Sequence, residues 1–361
     1  MLTVRALPFR RFDAACDGLL GFYHGELARH WTGGDRLLAH LLSLARLGGW
    51  SSWERRMLDP RIRADGLSMA DRKGLHRLLN PAAFPLAANP LKNKRLFARI
   101  AARAGLPVPD SFDPHEASLA RWLDNRPDII AKPSFRSKGA GIVRYVRAAD
   151  GWRAGTAPVD EASLLSKLTA IAHEGIVQVH EATHPSLAEV SPGALPTLRV
   201  MTCLDESGEP ECCGRALRLS AREDHPVDNF NAGNLVCAVD IEGRCGQAHH
   251  ATGCCDRHPI TGGRITGRAV PDLAAAIGVA LAAHRIFRGG FTVIGWDIGL
   301  TVRGPVLIEG NWNPGTDVVQ LVEETGIGAS RLGRLYRHHL GRLTPERWRS
   351  ARPVEREPRH E

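Results

Sequence analysis

A hairpin-like segment near the end of the chain constrains the fold more than any other part of the sequence. Residues 289–315 read GGFTVIGWDIGLTVRGPVLIEGNWNPG, in which residue character alternates up to a turn at Val302-Arg303-Gly304 and back. Alternation with a period of two is typical of β-strands, and a tight turn between two such runs predicts an antiparallel hairpin. Any fold for this chain must therefore contain an antiparallel sheet that includes these two strands.

The predicted register of this hairpin brings two acids together. If the loop has three residues centred on Arg303, residues whose numbers sum to 606 face each other, and Asp297 faces Glu309. Directly opposed residues have Cβ atoms about 4.5–5.5 Å apart, and Asn311 shares a face with Glu309 because side chains alternate. Two such carboxylates repel each other unless they share a cation. With an amide oxygen they suit a hard ion such as Mg²⁺; a solvated hairpin in another register is the alternative.

A short loop between two further strand-like segments is a second candidate site. Lys132 follows the apolar run DIIA, and residues 134–141 contain Ser, Lys and two glycines before the next strand, GIVRYVR. Glycine allows backbone N–H groups to approach a phosphate closely. The loop matches neither the P-loop pattern nor the dinucleotide-binding pattern. Taken alone, it also fits an ordinary hairpin tip.

The rest of the chain divides into a helical part and a mixed part. Residues 1–85 lack strand-like alternation and predict helices, and a connection rich in Pro and Asn follows at 80–90. The segment KNKRLFARIAARAGLPVPD (92–110) predicts a helix that ends at Gly105, because two prolines follow and prevent its continuation. Short strands separated by turns begin at about residue 128. This order predicts an α+β protein with a mostly antiparallel sheet and a helical N-terminal region.

Composition and charge narrow the classes of function. The 361 residues include 47 Lys and Arg against 39 Asp and Glu, a formal charge of +8. The basic residues are scattered among acids without zinc-finger spacing or a basic stripe, which argues against nucleic-acid binding. The longest apolar run, 274–283, is too short to span a bilayer. Asp13 and Asp17 interrupt the N-terminus before a signal segment forms, so we expect a cytoplasmic protein with reduced cysteines.

A stretch rich in Cys and His is an alternative metal site. Its candidate ligands are Cys245, His249, His250, Cys254, Cys255 and His258. Their spacing does not give two Cys-x-x-Cys pairs, and adjacent cysteines have poor geometry for one tetrahedral zinc ion. We therefore expect reduced, partly buried cysteines here rather than structural zinc.

The order of the chemical motifs resembles that of the ATP-grasp superfamily. The motifs are Asn93-Lys94, Lys132 with its glycine-containing loop, a strand with Gln178, TLR at 197–199, and Asp297 followed by Glu309-x-Asn311. The resemblance covers roughly residues 90–325. Within the superfamily, TLRVMT, HPITGGRITGRAVP and the hairpin sequence look most like the sugar-transfer-associated ATP-grasp group, which is similar to the glutamate-ligase-like enzymes.

The resemblance implies a fold in which two α+β lobes grip ATP. It implies a helical N-terminal region at 1–88, an ATP-grasp domain at 89–329 and an arginine-rich C-terminal helix or tail at 330–361. Within the domain, the lid lobe would cover about 110–180, and the lobe for metal and substrate about 181–329.

The resemblance also implies a nucleotide site. Lys94 and Lys132 would contact the phosphates beneath a mobile loop, and the strand that ends near Glu181 would be the hinge that holds adenine. Backbone groups of Val179 or His180 would lie at the base edge. The implied nucleotide-binding residues are Lys94, Lys132, Ser137, Lys138, Gly139, Gly141, Gln178, Val179, His180 and Glu181.

The remaining implied roles concern the metal and the transferred group. Asp297, Glu309 and Asn311 match the ligands of Mg²⁺, for which Mn²⁺ can substitute. Arg199 matches a basic residue that faces the transferred phosphate, and Arg215 is a weaker candidate for the same pocket.

Three positions depart from the pattern of the superfamily. Asn93 stands where many relatives have Asp, and Glu181 and Glu189 both compete for the role of the ribose-binding acid. In DNFNAGN (228–234), Asn234 stands where a second glycine is expected, and Asn231 is a candidate on the substrate side.

The implied activity is that of an ADP-forming ligase, which activates a carboxylate with ATP and Mg²⁺ for attack by an amine or a similar nucleophile. It would act on small molecules in polysaccharide or specialised-metabolite biosynthesis, as a monomer or a homodimer. The alternatives are a kinase of the same fold that phosphorylates a hydroxyl, and a nucleotide-binding partner protein without turnover.

Overall fold

Two antiparallel sheets form the framework of the protein. The structure is a computed structural model, and it describes residues 19–30, 50–115, 118–135, 141–223, 230, 233–250 and 253–350. The smaller sheet has the strand order β4-β3-β2-β1-β5. Its strands are β1 Asp128–Pro133, β2 Val143–Ala148, β3 Gly151–Ala154, β4 Ala157–Val159 and β5 Gly175–Val179.

The larger sheet has seven strands in the order β10-β9-β8-β7-β6-β11-β12. Its strands are β6 Thr197–Leu204, β7 Pro210–Leu219, β8 Leu235–Val239, β9 Cys245–His250, β10 Gly253–Cys255, β11 Val293–Thr301 and β12 Gly304–Asn311. Every neighbouring pair of strands in both sheets is antiparallel. The prediction of an α+β protein with a mostly antiparallel sheet is confirmed.

Helices precede the sheets, connect them and follow them. Those before the first strand are α1 Leu19–His30, α2 Ser52–Met57, α3 Pro60–Ala64, α4 Met69–Leu79, α5 Lys94–Arg103 and α6 Leu119–Leu123. Those after it are α7 Glu161–Glu174, α8 Pro185–Ala188, α9 Leu273–Phe287, α10 Asp317–Val322, α11 Arg331–Gly341 and α12 Pro345–Arg349. The described part of the N-terminal region is therefore helical, as predicted. Among the described helices, none is both long enough and apolar enough to cross a bilayer.

Helix α5 has the ends that its sequence predicts. The side chain of Asn93 accepts a hydrogen bond from the backbone N–H of Leu96 and so caps the first turn. Gly105 follows the helix with a φ of +72°, in the left-handed region that favours glycine. The cap fixes the direction in which Lys94, the first residue of the helix, leaves the backbone.

Both faces of the larger sheet are covered. On one face, Leu198 and Trp296 pack in a core with Ala280 of α9. On the other face, Met201 packs with Val319 of α10 and with residues of α4 and α11. A separate core lies on the smaller sheet, against α6 and α7. Because the larger sheet is covered on both sides, polar side chains within it are buried and need partners.

The hairpin of β11 and β12 pairs Asp297 with Glu309, as predicted. The predicted loop, however, is wrong in length. Thr301 pairs with Gly304, so the loop has two residues, and the pairing Ile298–Leu307 is one residue out of the expected register. Ile308 is an extra residue opposite the strand, a β-bulge, and it restores the predicted pairing beyond that point.

A buried asparagine joins helix α4 to the hairpin. Asn80 is fully buried, and its Nδ2 donates to the carbonyl oxygens of Val293 at 2.8 Å and Trp312 at 2.6 Å. Its Oδ1 accepts from the backbone N–H groups of Thr292 at 2.8 Å and Val293 at 3.1 Å. One side chain thus satisfies backbone groups of two different segments.

We expect Asn80→Ala to lower the free energy of unfolding by about 3 kcal/mol, because several buried backbone groups lose their partners at once. Urea denaturation followed by circular dichroism measures this. Asn125→Ala, at an exposed position, is the matched control and should change stability by less than about 0.5 kcal/mol. Equal effects of the two substitutions would contradict the role given to Asn80.

Candidate active site

Two carboxylates lie side by side in the larger sheet. Asp297 of β11 is 5% exposed and faces Glu309 of β12, which is partly exposed. Burial and the charge of Asp297 raise the pKa of Glu309, although the charge of Lys94 opposes this shift. The two acids therefore repel each other. Glu309 is also close to the positive charge of Lys94, at the start of helix α5.

Two arginines hold Asp297 in its ionised form. Arg199 of β6 pairs across the sheet with Asp297 and donates from Nε to Oδ1 at 2.5 Å and from Nη2 to Oδ2 at 3.1 Å. Arg218 of β7 donates from Nη1 to Oδ2 at 3.1 Å. Burial alone would raise the pKa of Asp297, but the charges of the two arginines lower it to about 2.

The structure does not bring Arg215 to this cluster. Arg199 pairs with Ala216 and Thr197 pairs with Arg218, so these residues share one face of the sheet. Arg215 pairs with Val200 on the opposite face, where its Nε donates to the carbonyl oxygen of Val239 at 2.9 Å. The prediction of Arg215 is corrected to Arg218. The alternation of side chains could have identified Arg218, but only once the register of β6 and β7 was known.

Lys94 and Lys132 meet at a pocket beside Glu309. The pocket is lined by both lysines, Gln178 and Glu309, among others. Lys94 lies at the start of α5, and its Nζ donates to the carbonyl oxygen of Ser134 at 3.2 Å. Burial lowers the pKa of Lys94, and the charge of Glu309 opposes that shift. Residues that are far apart in sequence thus place two cations and one carboxylate around the same pocket.

The predicted hinge lies at the end of β5. The backbone N–H groups of Val179 and His180 already donate hydrogen bonds within the protein. The N–H of Val179 donates to the carbonyl oxygen of Asp110 at 2.8 Å, and the N–H of His180 donates to that of Asp128 at 3.0 Å. The side chain of Gln178 is buried and donates from Nε2 to the hydroxyl of Ser111 at 3.0 Å. Contact between a base edge and Val179 or His180 through these N–H groups would therefore require them to change partners.

The two candidates for the ribose-binding acid lie in different surroundings. Glu181 is 8% exposed and accepts two hydrogen bonds from Arg303, one from Nε at 2.9 Å and one from Nη2 at 2.6 Å. Arg303 belongs to the two-residue turn of the β11–β12 hairpin, so this ion pair attaches the hairpin to the hinge. Glu189 instead pairs with Arg268 at 2.8 Å on the surface. The geometry favours Glu181, next to the hinge, over Glu189.

Some predicted residues cannot be placed. Ser137, Lys138 and Gly139 of the glycine-containing loop lie outside the described residues, as does Asn231 on the substrate side. The described chain resumes at Gly141, whose φ of +77° is in the region that favours glycine.

The oxygen-bearing side chains of Asp297, Glu309 and Asn311 fit the ligands of a hard divalent cation. Nδ2 of Asn311 is 3.3 Å from Oε1 of Glu309, and Asp297 faces Glu309 across the hairpin. A cation shared by the two carboxylates would remove the repulsion that raises the pKa of Glu309. Two carboxylates and one amide leave coordination positions for phosphate oxygens or water, as is typical of Mg²⁺.

The Cys- and His-rich stretch does not gather around one point. Cys254 and His249 pair across β9 and β10, with 3.5 Å between Sγ and Nδ1. Nε2 of His258 instead lies 2.8 Å from the carbonyl oxygen of Ser220, and Nε2 of His250 lies 2.9 Å from a different carbonyl oxygen. In the described ranges, no three His, Cys, Asp or Glu residues form a metal-binding group.

The two acids should respond in opposite ways to neutralisation in metal-free buffer. Asp297→Asn leaves two buried guanidinium groups without a full counter-charge and should cost about 3–5 kcal/mol of unfolding free energy. Glu309→Gln removes a repulsive neighbour and should leave stability unchanged or higher. Urea denaturation in EDTA compares the two variants with the wild type. A larger loss for Glu309→Gln than for Asp297→Asn would contradict this electrostatic description.

Comparison with solved structures finds matches to enzymes at low identity and low TM-score. An L-amino acid ligase from Bacillus licheniformis is 14% identical, with 74% of this chain and 52% of that chain covered and a TM-score of 0.41. D-alanine–D-alanine ligase from Bacillus anthracis is 15% identical, with coverages of 71% and 69% and a TM-score of 0.41. N5-carboxyaminoimidazole ribonucleotide synthetase from Thermotoga maritima is 14% identical, with coverages of 68% and 50% and a TM-score of 0.36.

These values are too low to carry an activity from those enzymes to this chain. The chain also spans only about half the length of the Bacillus licheniformis and Thermotoga maritima proteins. No curated protein matches the chain.

The comparison with family models is more informative. Residues 72–334, well over half of the chain, match the model described as sugar-transfer associated ATP-grasp. The matched range contains both sheets and all the predicted site residues. The ATP-grasp fold implied by the sequence is thereby confirmed, and the chain belongs to the sugar-transfer-associated ATP-grasp family.

Proposed function

We propose that the protein is an ATP- and Mg²⁺-dependent ligase that activates a carboxylate as an acyl phosphate and transfers the acyl group to an amine. One observation carries the proposal. Glu309, which faces the Asp297 carboxylate bound by Arg199, lines the same pocket as Lys94 and Lys132. In a member of an ATP-grasp family, this pattern of charge suits a metal–nucleotide complex beside a transferring phosphoryl group.

The proposed reaction has two steps. A carboxylate oxygen of the acid substrate attacks the γ-phosphorus of ATP, the bond to the β-phosphate oxygen breaks, and ADP leaves. The amine then attacks the carbonyl carbon of the acyl phosphate, inorganic phosphate leaves with the electron pair of the C–O bond, and the amine loses a proton. ATP with its metal supplies the phosphoryl group and its electrophilic activation.

The side chains of this protein would stabilise charge and position the reactants. Lys94 and Lys132, which line the pocket, would bind phosphate oxygens. Glu309, Asp297 and Asn311 would hold Mg²⁺. Arg199, already aligned by its ion pair with Asp297, would neutralise charge that develops on the transferred group.

We further propose that the substrates are small molecules, a carboxylic acid and an amine, and that the enzyme acts in the cytoplasm as a monomer or a homodimer. The pathway would be the synthesis of a polysaccharide or a specialised metabolite. Nucleic acid is not a proposed partner, because the basic residues of the site are few and enclosed in the pocket rather than arranged along a surface.

Isotope transfer tests the proposed chemistry. The purified protein is screened for Mg²⁺-dependent ADP release with panels of acids and amines, and the acid that supports turnover is then prepared with ¹⁸O in its carboxylate. The acyl-phosphate route predicts one ¹⁸O atom in the released phosphate, and Glu309→Gln serves as the inactive control. A phosphorylated hydroxyl product without free phosphate would establish the kinase instead. Nucleotide binding without turnover on any acid would favour the partner protein.

Arginine substitutions on the two faces of the larger sheet should have different effects on ATP-dependent turnover. We expect Arg218→Gln to lower ATP-dependent turnover at least about 100-fold, because Asp297 loses one of the groups that hold it in place. Arg215→Gln, on the opposite face, is the matched control and should retain activity within about 3-fold. Steady-state ADP release measures both. A reversed order would reject the correction from Arg215 to Arg218.

A further inference from the structure

A buried arginine of helix α4 has no assigned role in the site described above. Arg72 is 8% exposed, and its Nε has no hydrogen-bond partner within the described ranges. Burial lowers the pKa of Arg72, the charges of Asp317, Tyr336 and Glu54 oppose this shift, and the charge of Arg199 adds to it. Burying a guanidinium group with an unsatisfied N–H lowers the stability of the folded protein. Binding of a ligand by this group would explain why the protein keeps it.

The guanidinium group lies at the end of the strand that carries the metal-ligand candidates. A Cβ atom placed on Gly315 would be 3.3 Å from Nη1 of Arg72 and 2.7 Å from Oδ1 of Asp317. Gly315 follows Asn311 by four residues, in the loop between β12 and α10. A side chain at Gly315 would therefore clash with Asp317 and crowd Arg72, so this loop runs close to both side chains.

The position of Arg72 is fixed from both ends of its helix. At the C-terminal end, Asn80 is bonded to the hairpin, as described above. At the N-terminal end, the side chain of Gln320 accepts from the N–H of Leu67 at 2.7 Å and donates to its carbonyl oxygen at 3.0 Å. Arg72 is thus held by the same framework that holds Asp297 and Glu309, and it reaches the site as a preorganised group.

Asp297 and Asp317 do not form ion pairs with all of the arginines near them. Asp297 is bound by both Arg199 and Arg218. Asp317 lies near Arg72, but the described residues show no ion pair of Arg72 within 4 Å with it or with another acid. The charges of Asp317 and Glu54 act on Arg72, but neither acid forms an ion pair with it within the described residues. An incoming anion would be attracted to this arginine, whose Nε–H is unsatisfied.

We propose that Arg72 binds an anionic group, a carboxylate or a phosphate, on the non-nucleotide substrate, at a subsite separate from that of the ATP γ-phosphate. The proposal rests on the proposed function only in assigning the anion to a substrate. It narrows the substrate class to molecules with a negatively charged group, since a neutral molecule would leave the buried charge uncompensated.

Inorganic phosphate is the probe for this subsite. Thermal-shift titrations are made with Mg²⁺ and saturating AMP-PNP, an ATP analogue that fills the γ-phosphate position, on the wild type, Arg72→Gln, Arg72→Lys and Lys73→Gln. Lys73 is the neighbouring cation on the same helix and serves as the matched control. The wild type and Lys73→Gln should be stabilised by phosphate, and Arg72→Gln should bind phosphate at least about 10-fold more weakly. Arg72→Lys should be intermediate, because it keeps the charge and loses the planar fork.

Ligand-free stability separates this role from a structural one. Without phosphate, Arg72→Gln should melt no lower than the wild type, because it removes a charge that the unliganded protein does not compensate. A lower melting temperature for ligand-free Arg72→Gln would overturn the proposal in favour of a structural pairing with Asp317. Equal phosphate binding by Arg72→Gln and the wild type, or no phosphate binding by the wild type, would also overturn it.

Two further titrations, one of phosphate without AMP-PNP and one of AMP-PNP without phosphate, identify the source of the anion. Phosphate binding that disappears when AMP-PNP is present would show that Arg72 belongs to the γ-phosphate site and would overturn the separate subsite. The AMP-PNP shift itself, measured without phosphate, reports on the proposed function. Its absence in the wild type would reject nucleotide binding while leaving the phosphate comparison intact.

Discussion

The ionised carboxylate of Asp297, buried in a sheet that is covered on both faces, is the interaction on which the site depends. A charge in such a position is stable only with partners, and the partners come from two neighbouring strands, Arg199 on β6 and Arg218 on β7. Their alignment requires the register of three strands, so the arrangement of the sheet and the chemistry of the site are inseparable. Glu309 is then placed beside a carboxylate that stays ionised, which makes this point of the hairpin attractive to a cation.

The helical N-terminal region takes part in this arrangement. Helix α4 is tied to the hairpin through Asn80 and to α10 through the contacts of Gln320 with Leu67. These are buried side chain–backbone bonds, which tolerate little displacement. These bonds hold helix α4 against the loop that follows Asn311. Arg72 of α4 lies next to Gly315 in this loop. A helix that precedes the sheets in sequence is thus bonded to the strand and the helix on either side of that loop.

The sequence was most informative where periodicity and turn chemistry act locally. Alternation predicted β11 and β12 and the facing of Asp297 and Glu309, and Gly105 with the two prolines after it predicted the C-terminal end of α5. Non-local register was not accessible. The loop of the hairpin was predicted one residue too long, and only the bulge at Ile308 restored the pairing. Because the register was unknown, Arg215 was predicted in the pocket where the structure has Arg218. The sequence of a single strand does not show which of its residues faces a partner two strands away.

The central claim is that Asp297, Glu309 and Asn311 form the metal-binding part of a nucleotide site. Electron paramagnetic resonance of Mn²⁺, titrated into the protein with AMP-PNP, tests it most directly, since the signal of free Mn²⁺ reports how much metal is bound. The account predicts tight Mn²⁺ binding by the wild type that requires the nucleotide, competition by Mg²⁺, and binding weakened at least about 10-fold in Glu309→Gln. Equal Mn²⁺ binding by the wild type and a folded Glu309→Gln variant would contradict it.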